Sequence, residues 1–148
     1  MQLNHILVTT DLSLESLRPL QEAAELARTN GARLTMLTVV HQVEGAPTNS
    51  PYAPEMTDPD IEPRLEAARE TMRELTSDVH GLEIEVVAIP AQKVPAAVER
   101  YAVEHDVDLL AISTHGRSGW RRLALGSVAE AIVRHSSVPV LVFQRPKA

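Results

Sequence analysis

Short runs that are apolar at nearly every position alternate along the whole chain with segments apolar only at helical spacing, and this alternation restricts the fold more than any other feature. Ile6-Leu7-Val8 ends in Thr9-Thr10-Asp11, and Leu34 to Val40 and Val107 to Ile112 have the same near-continuous character. Such runs are strands covered on both faces. Between them, Leu17, Leu20, Ala24 and Ala27 predict a helix capped at Ser16 and stopped at Gly31. Leu65, Ala68, Met72, Leu75 and Val79 predict a second helix from Pro59 to about Val79, closed by Gly81. Leu82 to Ile89 reads as a strand, Pro95 to His105 as a helix, Ser127 to about His135 as a fourth helix and Val138 to Phe143 as a fifth strand. Strict alternation of this kind predicts parallel strands joined by right-handed crossovers, with helices on both faces of one open, doubly wound sheet. At 148 residues the chain is sized for a single domain, 1–148.

Composition narrows the functional classes. A formal net charge of -6 opposes attraction to polyphosphate backbones, and one Trp, two Tyr and one Phe offer little surface for stacking unpaired bases. Nucleic acid is therefore not an expected partner. Without cysteine there is no disulfide, thiolate nucleophile or cysteine-bound zinc. No apolar stretch approaches the roughly 20 residues that span a bilayer, and the start carries no basic leader, so a cytoplasmic, membrane-free protein is expected. His5, His41, His80, His105, His115 and His135 show no metal-ligand spacing, and most of them are expected at the surface or in turns.

In sheets of this type ligands bind beyond the carboxyl ends of the strands where the winding reverses, which brings Asp11 near Ser113. The segment from Ser113 to Ser127 then carries the most information. Gly116 and Gly126 permit close backbone approach, and the first amides of the following helix offer aligned donors to an anion. Arg117, Arg121 and Arg122 stand there with no acid among them, against the acidic balance of the chain. Phosphate suits that environment. Two readings stay open for several side chains. Ser127 and Glu130 form an S-x-x-E capping box, or the hydroxyl contacts phosphate. Asp11 accepts from a ribose hydroxyl or an adenine amino group, or only organises its turn. Val39 packs on a base, or belongs to the core.

Gly116, nine intervening residues and Gly126-Ser127 fit the G-x2-G-x9-G-S/T signature, and the chain resembles the ATP-binding branch of the universal stress protein family over essentially its whole length. The likeness includes Ile6 to Ser13 and Val138 to Val142. It implies a Rossmann-like sheet of the adenine nucleotide alpha hydrolase type, in strand order 3-2-1-4-5, that binds ATP. Adenine would lie near Asp11 and Val39, ribose near Thr9 and Ser113, and the phosphates on Gly116, Gly126, Ser127, Val128 and Ala129. Ser113 stands where the signature has its first glycine, so a Cβ and a hydroxyl face the sugar. Mg2+ or Mn2+ would arrive on the triphosphate rather than in a protein cage.

The resemblance also implies a homodimer. Independently, Val138 to Phe143 is an outer strand too apolar to leave bare, with Pro139 blocking one ladder bond. The expected role is a nucleotide-responsive regulatory or stress-response protein with an unidentified protein partner, not a dedicated enzyme. The absence of G-x4-G-K-S/T disfavours a P-loop ATPase, and Ser127 lacks the elbow needed for a Ser127-His115-Asp11 hydrolase. A ligand-free dimeric adapter of the same fold, using Val43 to Asp58 as a contact surface, is the alternative.

Overall fold

A computed structural model describes residues 1–42, 58–114 and 125–144. The strands are β1 (His5–Thr9), β2 (Arg33–His41), β3 (Ile84–Ala91), β4 (Leu109–Ser113) and β5 (Val140–Phe143); the helices are α1 (Leu17–Asn30), α2 (Ile61–Thr76), α3 (Val94–Glu104) and α4 (Ser127–His135). All strands are parallel, in the order β3-β2-β1-β4-β5. The alternation and the strand order therefore stand as expected. Several boundaries move for local reasons. A 3-10 turn, Leu14–Ser16, leads directly into α1 at Leu17. The Ser77 hydroxyl donates to the Glu74 carbonyl at 2.7 Å and ends α2 before Val79. α1 ends where predicted: Gly31 takes φ +64° and the Ala32 amide returns to the Ala27 carbonyl at 2.9 Å, a close that suits glycine.

The side-chain period of two sorts the central strands into two cores. Ile6, Val8, Leu34, Met36, Leu109 and Ala111 face α1 and α2. Leu7, Leu37, Leu110 and Ile112 face α3 and α4. Small residues on α1, Ala23, Ala24 and Ala27, are fully buried and let the helix lie close to the sheet. Burial weakens outward: β3 buries only Ala88, and β5 leaves Leu141 exposed. The Ala91 carbonyl accepts from Gln42, so Pro90, one residue earlier, turns its donor-less nitrogen to the outer edge. Among the described residues no helix is long and apolar enough to cross a membrane.

The amino ends of the strands hold a buried polar cluster. His5, which opens β1, is 2% exposed. Its Nδ1 contacts the His105 carbonyl and its Nε2 the Thr35 hydroxyl, each at 2.9 Å. A carbonyl only accepts, so Nδ1 carries the proton, while Nε2 meets the Thr35 hydroxyl, which also lies 3.4 Å from Glu85 Oε2. The amides of Asn4 and His5 donate to Asp108 Oδ2 at 2.7 and 3.0 Å, which holds that carboxyl below its usual range. Burial lowers the His5 pKa from 6.5. The unfolded chain then binds this proton more readily than the folded one, so the stability contributed by neutral His5 is complete above pH 6.5 and is lost as pH falls through the folded value. Urea unfolding between pH 8 and pH 5 should show this acid-side loss, and His5→Gln should flatten it.

Candidate functional site

Beyond the carboxyl ends of β1, β2 and β4 lies a cleft of about 650 Å3, within the roughly 300–1,000 Å3 of small-molecule sites. Thr9, Asp11, Val39, Ser113, Gly126, Ser127, Val128 and Ala129 all line it. The sheet thus gathers these residues from four separate elements. Gly116, the remaining signature position, lies outside the described residues, as do His115, Arg117, Arg121, Arg122 and positions 43–57. One wall is apolar, formed by Val94, Val98, Ile112 and Ile132. The opposite wall is α2, through Arg64, Ala67, Ala68 and Thr71. Arg64 donates to Asp58 at 3.2 Å and to the His41 carbonyl at 2.8 Å, which ties α2 to the end of β2.

The turn after β1 is built around Asp11. Oδ1 accepts from the Ser13 amide at 3.0 Å and from the Ser13 hydroxyl at 2.5 Å. Asp11 therefore does organise its turn, yet that engages only one oxygen. Oδ2 is buried and has no hydrogen-bond partner, a condition that costs about 1–3 kcal/mol or more for a polar atom. Between these residues Leu12 takes φ +69°, where a bulky side chain is strained by roughly 1–2 kcal/mol. Its amide donates to the Thr10 hydroxyl at 2.9 Å.

On the other side of the cleft, the Gly126 amide donates to the Thr114 carbonyl at 2.9 Å and brings α4 back to the end of β4. Gly126 is the cap residue, at φ -58° and ψ 151°, and Ser127 is the first helical residue. The expected capping box is not formed. The Glu130 carboxylate pairs with Arg134 at 2.7 Å instead, so its charge is engaged one turn further on. The first bond of the helix runs from the Glu130 amide to the Gly126 carbonyl at 2.8 Å. The amides of Ser127, Val128 and Ala129 precede it and have no acceptor within the helix. Aligned donors and the positive end of the helix dipole make that turn complementary to an anion.

A model of the universal stress protein family matches residues 2–144. The chain belongs to that family. Universal stress protein A homolog 1 of Coxiella burnetii is 32% identical over 151 residues, covering 95% of this chain and 96% of its own. A universal stress protein crystallised in complex with cAMP superimposes with a TM-score of 0.67 at 24% identity, over 97% of this chain and 98% of its own. The universal stress protein of Archaeoglobus fulgidus in complex with dAMP gives 0.60 at 24% identity, over 96% and 98%. In this universal stress protein, Thr38, Thr10 and Arg64 were not singled out from the sequence. Thr38 did leave a trace, as a hydroxyl inside the apolar run of β2 that needed a partner. Arg64 left none among the charged residues of α2.

No three His, Asp or Glu side chains converge on a common point among the described residues. A Cβ on Gly126 would stand 3.2 Å from the Thr114 carbonyl oxygen, a contact against backbone. Gly126→Ala should push α4 from β4 and destabilise the chain by about 1 kcal/mol, measured as a lowered melting temperature without loss of helix in circular dichroism.

Proposed function

We propose that this universal stress protein binds an adenine nucleotide, ATP in particular, and acts through occupancy rather than turnover. One juxtaposition carries the reading: Asp11, which keeps a buried and unpartnered carboxylate oxygen, borders the same cleft as the first turn of α4. An acceptor at one end asks for a donor such as the adenine amino group, and the amides at the other ask for phosphate. Val39 supplies an apolar surface for the base, while Thr9 and Ser113 border the sugar. Ser127, Val128 and Ala129 then take the phosphates, together with Gly116. The cAMP and dAMP complexes of the structural relatives support an adenine nucleotide as the class of ligand. Mg2+ or Mn2+ would be carried by the triphosphate. Ser127 stands at the first residue of α4, on the turn whose amides are offered to phosphate, so the reading assigns it to binding and not to a nucleophile's role.

Titration calorimetry with ATP and Mg2+ tests the reading. Saturable heat is expected; none at millimolar nucleotide would leave the chain a ligand-free adapter. Asp11→Ala should weaken ATP roughly tenfold. Gly126→Asp should abolish binding, because its carboxylate enters the place of the phosphates.

We further propose that the chain is a cytoplasmic homodimer paired through β5, serving a regulatory protein partner. Leu141 is 37% exposed on the outermost strand, beside half-buried Val140, Val142 and Phe143. A second copy would cover both this apolar row and the unpaired strand edge. Leu141→Glu should convert the dimer to a monomer in sedimentation velocity at micromolar concentration.

A further inference from the structure

The orientation of Asp11 is set from β2. β1 ends at Thr9, and the last ladder bond is from the Thr10 amide to the Leu37 carbonyl at 2.9 Å. Beyond it the Thr10 carbonyl accepts from the side chain of Thr38, whose Oγ1 donates at 2.9 Å. That carbonyl and the amide of Asp11 belong to one rigid plane, so fixing the oxygen also fixes the bond that leads into Asp11. The plane on the other side of Asp11 is fixed by the Leu12 amide on Thr10 Oγ1, and Oδ1 is fixed by Ser13. The Thr38 bond, like that of the Thr10 amide to Leu37, reaches the turn from β2. Thr38 is 4% exposed, and its neighbour Val39 borders the cleft.

The turn has a cost that needs such support. Leu12 is held at φ +69°, and a residue in that region persists when its surroundings over-determine it. With the hydroxyl of Thr38 removed, the plane before Asp11 is free to rotate, Leu12 can relax, and Oδ2 leaves its single direction. We propose that Thr38 is a positioning residue that sets base selectivity: by pinning the Thr10 carbonyl it aims Asp11 Oδ2 at the exocyclic amino group of the bound purine. This rests on the nucleotide reading above and adds that discrimination resides partly in a β2 hydroxyl acting through Asp11.

The test compares ATP with purine riboside triphosphate, which carries hydrogen in place of the 6-amino group, in calorimetric titrations with Mg2+. The wild type should prefer ATP by roughly tenfold or more, the penalty for leaving a buried acceptor unpaired. Thr38→Val, of nearly equal shape, should lose most of that preference by weakening ATP alone, while Thr38→Ser should retain it. A valine variant with the wild-type preference, or a serine variant that loses it as valine does, overturns the proposal. If the valine variant does not melt cooperatively, Thr38→Cys takes its place: a weak thiol donor should lower the preference, and an undiminished one overturns the proposal. Asp11→Ala separates the two levels. Loss of preference there with retention in Thr38→Val refutes the role of Thr38 alone, whereas a wild type that binds neither triphosphate refutes the nucleotide reading itself.

Discussion

A parallel sheet covered on both faces can place polar side chains only at the ends of its strands, because elsewhere each would be sealed against a helix. In this protein the two ends meet that constraint differently. At the amino ends, His5, Thr35 and Asp108 satisfy one another and the neighbouring backbone. At the carboxyl ends, Asp11 keeps one buried oxygen without a partner, and the first turn of α4 adds amides with no helical acceptor. The same chemistry is closed at one end and left open at the other. Leu12, with its positive φ, lies at the open end, where β1, β2, β4 and α4 converge.

The strand order and both cores were legible because they follow from local pattern. Apolar runs such as Ile6 to Val8 have no polar face, and the helical stripes between them are short enough for crossovers. The cleft was legible in outline for a related reason: the spacing of Gly126-Ser127 from the end of β4 and the position of Asp11 at the end of β1 fix both at one sheet edge. What escaped depends on long-range contacts. Ser127 and Glu130 spell a capping box, yet Glu130 and Arg134 equally spell an i,i+4 ion pair. The choice is made by the Gly126 amide on the distant Thr114 carbonyl, which makes Gly126 the cap. The burial of His5 escaped in the same way, since its partners lie 30 and 100 residues further along the chain. Thr38 falls in this class too, for its acceptor lies just past the end of β1, 28 residues away.

Arg64 belongs to a different class of omission. It sits in the first turns of α2 among other charges, and its sequence surroundings do not separate it from Arg69 and Arg73, whose carboxylate partners are on the same helix. Arg64 reaches the His41 carbonyl instead and closes one side of the cleft. Surface ion pairs add little to stability. Here the side chain matters more as a tie between helix and strand.

The two rims of the sheet are unlike each other. Along β3 the outward backbone is interrupted at Pro90, and Glu85 is exposed; along β5 nothing comparable stands in the way among the described residues. A rim that accepts a neighbour on one side only cannot build a continuous ribbon, because each added copy would need a receptive surface at both flanks. Growth must therefore stop once the receptive flank is used. For the pair proposed through β5, Pro90 on the far strand would leave no matching flank for a third copy.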